Sequence, residues 1–185
     1  MELPNLIPFL RPNLDILFVG LNPATKSSRN KHYFSVNQAF WNQLLEAGLI
    51  RKSVDKLAAD DLIFGSNALN YNNWEYGITD LVTEYAESNS SSVEVSSLNC
   101  ERLKDQIITY SPKTVVILHG TVLKSFLKQL SRPTPASNTG VLGKLISNCN
   151  SLFFNIAFPH GNSITSEEKI NRYIELKRVL EARNT

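Results

Sequence analysis

The sequence contains little cysteine and no long hydrophobic run. Only two of its 185 residues are cysteines, Cys100 and Cys149. Two are too few for a disulfide framework, and these two lack the short spacing or histidine partners of a zinc site. We therefore expect reduced, structural thiols and no metal. No apolar run approaches the roughly 20 residues that span a bilayer, and residues 1–10 lack the basic segment of a signal peptide. These absences predict a cytoplasmic protein, or a nuclear one in a eukaryote, without membrane association.

The sequence also has no excess of one charge and no glycine-rich phosphate loop. Lys and Arg number 19 against 17 Asp and Glu, a formal net charge of +2, so a polyanion must be bound by a local basic patch. Neither GxxxxGK[ST] nor GxGxxG follows any predicted strand, which disfavours an enzyme acting on small nucleotides. With 42% hydrophobic and 19% charged residues, we expect one globular domain over residues 1–185.

Short apolar runs predict a buried sheet. Residues 14–20 (LDILFVG), 114–119 (TVVILH) and 152–158 (LFFNIAF) are nearly continuous in apolar side chains, as strands buried on both faces are. Residues 76–82 (YGITDLV) are a fourth candidate. Buried runs separated by helical periodicity favour an α/β fold, a three-layer sandwich whose central, mainly parallel four-stranded sheet carries helices on both faces.

Helical periodicity supplies the outer layers. One apolar face comprises Phe40, Trp41, Leu44 and Leu45; another comprises Leu123, Phe126, Leu127 and Leu130; a third is marked by Leu103 and Ile107. The capping-box spacing from Thr165 to Glu168 predicts the start of the last helix. Residues 66–74, 87–97 and 131–140 are rich in turn formers and predict surface loops.

Polar residues follow three of the apolar runs. Ligands of open α/β sheets bind at the carboxyl ends of the strands, so Asn22, His119 and His160 are expected near one rim. A basic and aromatic segment follows Asn22; it contains Lys26, Arg29, Lys31, His32, Tyr33 and Phe34. Basic residues beside aromatic rings suit phosphate contact and base stacking.

Four segments carry a family resemblance. Residues 20–24 read GLNPA, residues 37–41 read NQAFW, residues 76–82 read YGITDLV and residues 158–164 read FPHGNSI. In this order they resemble the uracil-DNA glycosylase superfamily, most closely its mismatch-specific thymine/uracil branch, whose corresponding segments are G-[IM]-N-P-G, N-x-F-W, G-[VF]-T-x-[LI]-V and a second catalytic loop. The resemblance spans residues 14–182, with the Asn of NQAFW one place out of register.

The resemblance implies a monofunctional DNA glycosylase that needs no metal or organic cofactor. Such an enzyme flips uracil, a mismatched thymine or another deaminated base out of DNA, hydrolyses its N-glycosidic bond and leaves an abasic site. The resemblance implies two catalytic residues: Asn22 positions water, and His160 donates a hydrogen bond to the leaving base. The residues expected to bind the flipped nucleotide are Gly20, Leu21, Pro23, Tyr33 and Phe34, with Tyr33 the better register match for base stacking.

The same resemblance predicts the DNA-contacting surface of a nucleoid-associated monomer. Phosphates would be held by Lys26, Arg29 and Lys31, and the second loop would contact DNA through Gly161, Asn162, Ser163 and Ile164. Ile164 occupies the position of an apolar wedge that fills the gap left by the flipped base.

Each assignment has a plainer alternative. Asn22 before Pro23 is also a common turn, and Ile164 is also placed to be a hydrophobic staple of the last helix. For His119 an ordinary strand-end histidine is the better interpretation. For Asp80 a surface or capping carboxylate is preferred over the open alternative of a second catalytic carboxylate. Phe40 and Trp41 are predicted to be core, and either ring of Tyr33 and Phe34 can be core as well.

Two departures from the family pattern keep a second function open. The second loop reads HGNSI, so the stiffening proline after its histidine is replaced by Gly161, and Ala24 replaces the final glycine of the first loop. The alternative is a catalytically silent nucleic-acid-binding domain of the same fold.

Overall fold

The computed structural model describes residues 5–184. Its five strands form one sheet in the order β2-β1-β3-β5-β4. The strands are β1 (Ile16–Gly20), β2 (Tyr76–Asp80), β3 (Thr114–Ile117), β4 (Gly140–Gly143) and β5 (Leu152–Asn155). The helices are α1 (Thr25–Asn30), α2 (Ala39–Glu46), α3 (Ala59–Ile63), α4 (Ser97–Tyr110), α5 (Gly120–Gln129) and α6 (Ser166–Asn184).

The four strands expected from the sequence are present and parallel. β1 pairs with β2 and with β3, and β3 pairs with β5. The sheet has five strands rather than four, because β4 adds an antiparallel edge to β5. The first residue of β4, Gly140, is the last residue of segment 131–140, which was predicted to be a loop. β4 begins and ends with glycine and contains a register shift, so it has no apolar run that would reveal it.

The sheet has a hydrophobic core on each face. Ile16 and Phe18 of β1 pack on the side of α2, α3 and α6, whereas Leu17 and Val19 pack on the side of α4 and α5. This alternation follows from the two-residue period of a strand. The result is the expected three-layer α/β sandwich. Among the described residues no helix is both long and apolar enough to cross a bilayer.

Local predictions that concern packing and capping hold. Phe40 and Trp41 are each 1% exposed and belong to the core. Thr165 and Glu168 form the capping box that begins α6: the Thr165 backbone N–H donates to Glu168 Oε2 (2.8 Å) and the Glu168 N–H donates to Thr165 Oγ1 (3.2 Å). Cys100 and Cys149 are buried and unpaired.

Candidate active site

A cavity of about 600 Å³ opens where the parallel strands end. It is lined by the first loop, residues 20–24 after β1, and by part of the second loop, residues 158–164 beyond β5. Parallel strands bring their carboxyl ends to the same edge of a sheet, which joins loops that are far apart in the chain. Asn22 and His160 consequently line one cavity.

Two backbone carbonyls fix the NH₂ end of the Asn22 side-chain amide. Its Nδ2 donates to the backbone oxygens of Pro23 (3.0 Å) and Glu87 (2.9 Å), and the Glu87 N–H donates to Pro23 O (3.0 Å). Both partners of the side chain are carbonyl oxygens, so only its NH₂ end fits there. Oδ1 is therefore the opposite end of the amide, and none of the hydrogen bonds among residues 5–184 uses it. Asn22 offers an oriented, unoccupied acceptor.

Gly20 and Asp80 form the deep side of the cavity. They are register partners at the ends of β1 and β2, and a Cβ on Gly20 would overlap the Asp80 carboxyl. Arg102 of α4 donates to the backbone oxygens of Asp80 (2.9 Å) and Leu81 (2.6 Å), which fixes the end of β2. The expectation of a surface or capping carboxylate at Asp80 is wrong, because Asp80 is 4% exposed.

Two buried polar atoms of cavity-lining residues lack partners. Neither Asp80 Oδ2 nor the Tyr33 hydroxyl makes a hydrogen bond within the described part of the chain. Burial raises the pKa of Asp80 to about 7, against the opposing charge of Arg102. Burial, followed by the charges of Asp80 and Asp60, also raises the pKa of Tyr33, so its hydroxyl keeps its proton. Such unsatisfied groups are costly unless a ligand or water supplies the partner.

Aromatic rings form one wall. Phe34 stacks on Phe40 with ring centroids 4.0 Å apart and planes 21° from parallel, and Phe158 lies 6.3 Å away. Tyr33 is 5% exposed and its ring packs in the core, edge-on to Phe9. Phe34 is only half-buried. The sequence favoured Tyr33 as the ring that stacks on the base, but the Tyr33 ring is buried. Phe34 has more exposed surface for such stacking.

A buried carboxylate holds the aromatic segment in place. Asp60 Oδ2 accepts from the Tyr33 N–H (2.7 Å), and Asp60 Oδ1 accepts from the Asp61 N–H (3.0 Å) and contacts His32 Nδ1 (2.8 Å). Phe34 adopts a left-handed φ of 50°, and its carbonyl accepts from Trp41 Nε1 (3.3 Å). His32, Asp60 and Asp61 are close enough together to be considered as metal ligands. Asp60, however, is already occupied by internal hydrogen bonds, so this trio is better explained as a clamp.

His160 lies in a more exposed part of the cavity lining, next to the aromatic wall. Its ring is exposed and packs edge-on to Phe158 at 5.1 Å. Burial of part of the ring lowers the pKa of His160, and the positive charge of Lys169 lowers it further. The imidazole is therefore neutral at physiological pH, and a neutral imidazole has one N–H donor.

Side chains, rather than a proline, shape the second loop. Asn162 Nδ2 donates to the carbonyls of Phe158 (2.8 Å) and His160 (3.2 Å), and Asn162 Oδ1 accepts from the Ile164 N–H (3.2 Å). Gly161 has a φ of +75°. Proline is restricted to a φ near −65°, so this backbone excludes the family's proline at position 161.

His119 is a second histidine of the cavity. Its Nδ1 accepts from the Thr121 N–H (3.1 Å) and caps α5, as an ordinary strand-end histidine would do. Because Nδ1 accepts, the proton of the neutral ring is on Nε2. Burial lowers the pKa of His119, and its ring lies edge-on to Phe158 at 5.7 Å.

The expected DNA contacts lie around the cavity. Lys26, Arg29 and Lys31 are exposed on and after α1, and Lys26 also lines the cavity. Gly161 and Asn162 are exposed lining residues. Ser163 is exposed and Ile164 half-buried, and neither belongs to the lining, so both the wedge and the staple remain compatible with the position of Ile164.

The comparison with protein families decides the identity of this fold. The model of the Uracil DNA glycosylase superfamily matches residues 7–177. The chain belongs to this superfamily. No curated protein matches the chain. Membership in the uracil-DNA glycosylase superfamily supports DNA glycosylase chemistry, with DNA as the partner.

Sequence reasoning missed one buried cavity residue, Asp80, whereas it did place His119 at the rim of the sheet. Asp80 follows a threonine at the end of a strand, where a carboxylate is usually solvated, and nothing local indicates the burial imposed by Gly20 and Arg102. His119 follows an apolar run directly, which is the same signal that identified Asn22. That signal was sufficient to place His119 at the rim.

Proposed function

We propose that this protein is a monofunctional DNA glycosylase of the mismatch-specific type, which hydrolyses the N-glycosidic bond of uracil, or of a mismatched thymine or another deaminated base. The observation that supports it most is the shared cavity, which is lined both by Asn22, with its oriented amide, and by His160, with its neutral ring.

The proposed reaction breaks the bond between C1′ of the sugar and the base. The base leaves with the bonding electron pair, and C1′ takes on the cationic character of an oxocarbenium ion. The His160 N–H donates a hydrogen bond to the base oxygen on which negative charge develops, an interaction that strengthens in the transition state. His119 Nε2–H is a second donor available in the same cavity.

Water completes the reaction. Asn22 Oδ1 accepts a hydrogen bond from a water molecule and directs its oxygen to C1′, and the water proton passes to the departing base or to solvent. An amide oxygen is too weak a base to deprotonate water beforehand, so attack follows substantial bond cleavage. We therefore expect a slow enzyme.

The cavity also suits a flat polar ligand. The partly exposed Phe34 provides a surface for a base to stack on, and the unpartnered Tyr33 hydroxyl and Asp80 Oδ2 can hydrogen-bond its edge. Lys26, Arg29 and Lys31 would bind the phosphates of the surrounding strand.

A substrate panel tests the proposal. A labelled oligonucleotide carries uracil, thymine, hypoxanthine or xanthine in paired, mispaired and unpaired contexts, and alkali cleaves the strand wherever a base has been released. We expect cleavage of the uracil strand opposite guanine. No cleavage of any substrate at enzyme excess would overturn the proposal, and salt-sensitive DNA binding without base release would identify the catalytically silent binding domain instead.

A further inference from the structure

Lys169 is a buried cation that the proposed chemistry does not use. It is 2% exposed, and its Nζ donates to the backbone oxygen of Pro159 at 3.2 Å. Among residues 5–184 no carboxylate lies within ion-pair distance of this ammonium group. Burial lowers the pKa of Lys169, although the nearby Glu168 raises it.

The position of Lys169 is energetically unfavourable for a charged side chain. An ammonium group without a counter-ion loses much of its hydration energy on burial. Lys169 also lies close to the start of α6, which begins at Ser166, and the N-terminal end of a helix dipole repels cations. A lysine that only supported the helix would be better placed at the opposite end.

The contacts of Lys169 lead to the second loop. Pro159 O accepts from Lys169 Nζ on α6 and also from Gln43 Nε2 on α2, at 3.0 Å. Gln43 is 1% exposed, so two buried side chains from two helices hold one carbonyl. That carbonyl belongs to the residue immediately before His160.

We propose that Lys169 is a positioning residue of the second loop: together with Gln43, its ammonium group fixes the Pro159 carbonyl and so sets the position of the neighbouring His160. This explains how HGNSI holds a defined shape without the family's proline. The positive charge of Lys169 also lowers the pKa of His160.

Other charged groups near His160 do not replace Lys169. His119 packs on the same Phe158 ring, and Lys26, Asp80 and Glu87 line the other walls of the cavity. Apart from burial, Lys169 is the group that shifts the pKa of His160. The consequence for base release rests on the proposed function, whereas the effect on His160 does not.

The test is an NMR titration of His160 in the whole protein. The ring signals of His160 and His119 are assigned with His160→Gln and His119→Gln, and their pKa values are measured in wild type, Lys169→Met and Lys169→Arg. We expect Lys169→Met to raise the pKa of His160 and to leave that of His119, which burial alone lowers, unchanged. We expect Lys169→Arg to keep the pKa of His160 close to wild type. The control is Lys177→Met, which removes a cation of the same helix that lies over the Tyr71 ring and should not move His160.

The outcomes separate the inference from the proposed function. An unchanged His160 titration in a folded Lys169→Met protein contradicts the inference. If Lys169→Met does not fold, Lys169→Gln takes its place under the same criterion. A raised pKa of His160 in a protein that releases no base leaves the inference standing and removes the proposed function. Where base is released, we expect Lys169→Met to slow single-turnover release about 10- to 100-fold through loss of alignment.

Discussion

The two loops of the cavity are built in different ways. The first loop is held by the backbone around it: Asn22 Nδ2 bonds two carbonyl oxygens, and Gly20 lies against a buried carboxyl, Asp80. The second loop is exposed and is held by side chains, with Asn162 tying its carbonyls and a buried ammonium group, Lys169, at its base. Each loop thus contacts one buried titratable group, an acid (Asp80) beside the first loop and a base (Lys169) beside the second.

The two kinds of loop support suit different tasks. A side chain fixed by main-chain carbonyls, such as Asn22, can orient a water with little freedom. A loop held by side chains can have a defined shape without a proline, as HGNSI does. Substitutions in the two loops should therefore have different effects.

Asp80→Asn should change how stability depends on pH. The pKa of Asp80 is raised to about 7 by burial, so between roughly pH 4 and 7 the unfolded chain loses this proton while the folded protein keeps it. Wild type should lose stability relative to Asp80→Asn over that range, by about 3 to 5 kcal/mol in total, and the difference should be constant at higher pH. Urea unfolding at pH 4 to 8 measures it. A difference independent of pH would show that Asp80 does not titrate in this way.

Asn22→Ala should affect chemistry more than binding. Loss of the water-directing oxygen should slow base release about 100- to 1,000-fold, while DNA affinity remains near wild type because phosphate contacts lie elsewhere. Single-turnover kinetics and fluorescence anisotropy give the two values. Excision at the wild-type rate would remove the water-positioning role from Asn22.

Gly161→Pro should disrupt the second loop, although the family has proline there. The backbone at Gly161 has a φ of +75°, which proline cannot adopt. We expect base release to fall about 10- to 100-fold. Gly161→Ala is the matched control, since alanine tolerates this conformation at a cost of about 1 kcal/mol; equal rates for the two variants would contradict the loop geometry.

Asn162→Ala should loosen the second loop without unfolding the protein. It removes three hydrogen bonds of an exposed side chain, so we expect a loss of about tenfold in the rate of base release and a melting temperature close to wild type. Asn162→Asp keeps the acceptor for the Ile164 N–H but loses both donors, and it should be impaired as well. A large fall in melting temperature for Asn162→Ala would show that the loop is part of the global core.

Arg29→Gln should have the smallest effect. Removal of one exposed cation beside the first loop should reduce the slope of log affinity against log salt by about 1, with the rate of base release from bound DNA unchanged. Arg178→Gln on α6 serves as the comparison, because Arg178 is also exposed but lies outside the proposed DNA-contacting surface. An unchanged slope for Arg29→Gln would remove that residue from the DNA-contacting surface.

Much of this architecture could be predicted from the sequence, for identifiable reasons. Continuous apolar runs marked β1, β3 and β5, and the residues directly after them placed Asn22 and His160 on one cavity. β4 was missed because a glycine-bounded edge strand has no such run. The burial of Asp80 and Lys169 was not predicted, because it depends on how the strands and helices pack and no local sequence pattern indicates it. The choice between Tyr33 and Phe34 likewise required knowledge of which ring the core covers.

The most direct test of the central claim is the mass of the DNA product. A duplex with one uracil opposite guanine is incubated with excess protein, and the uracil strand is weighed by mass spectrometry without alkali, with Asn22→Ala in parallel. We expect wild type to convert the strand to an uncleaved strand that has lost uracil and gained water, and we expect Asn22→Ala to leave the strand largely unconverted. A strand of unchanged mass with wild type, or equal conversion by both proteins, would contradict the central claim.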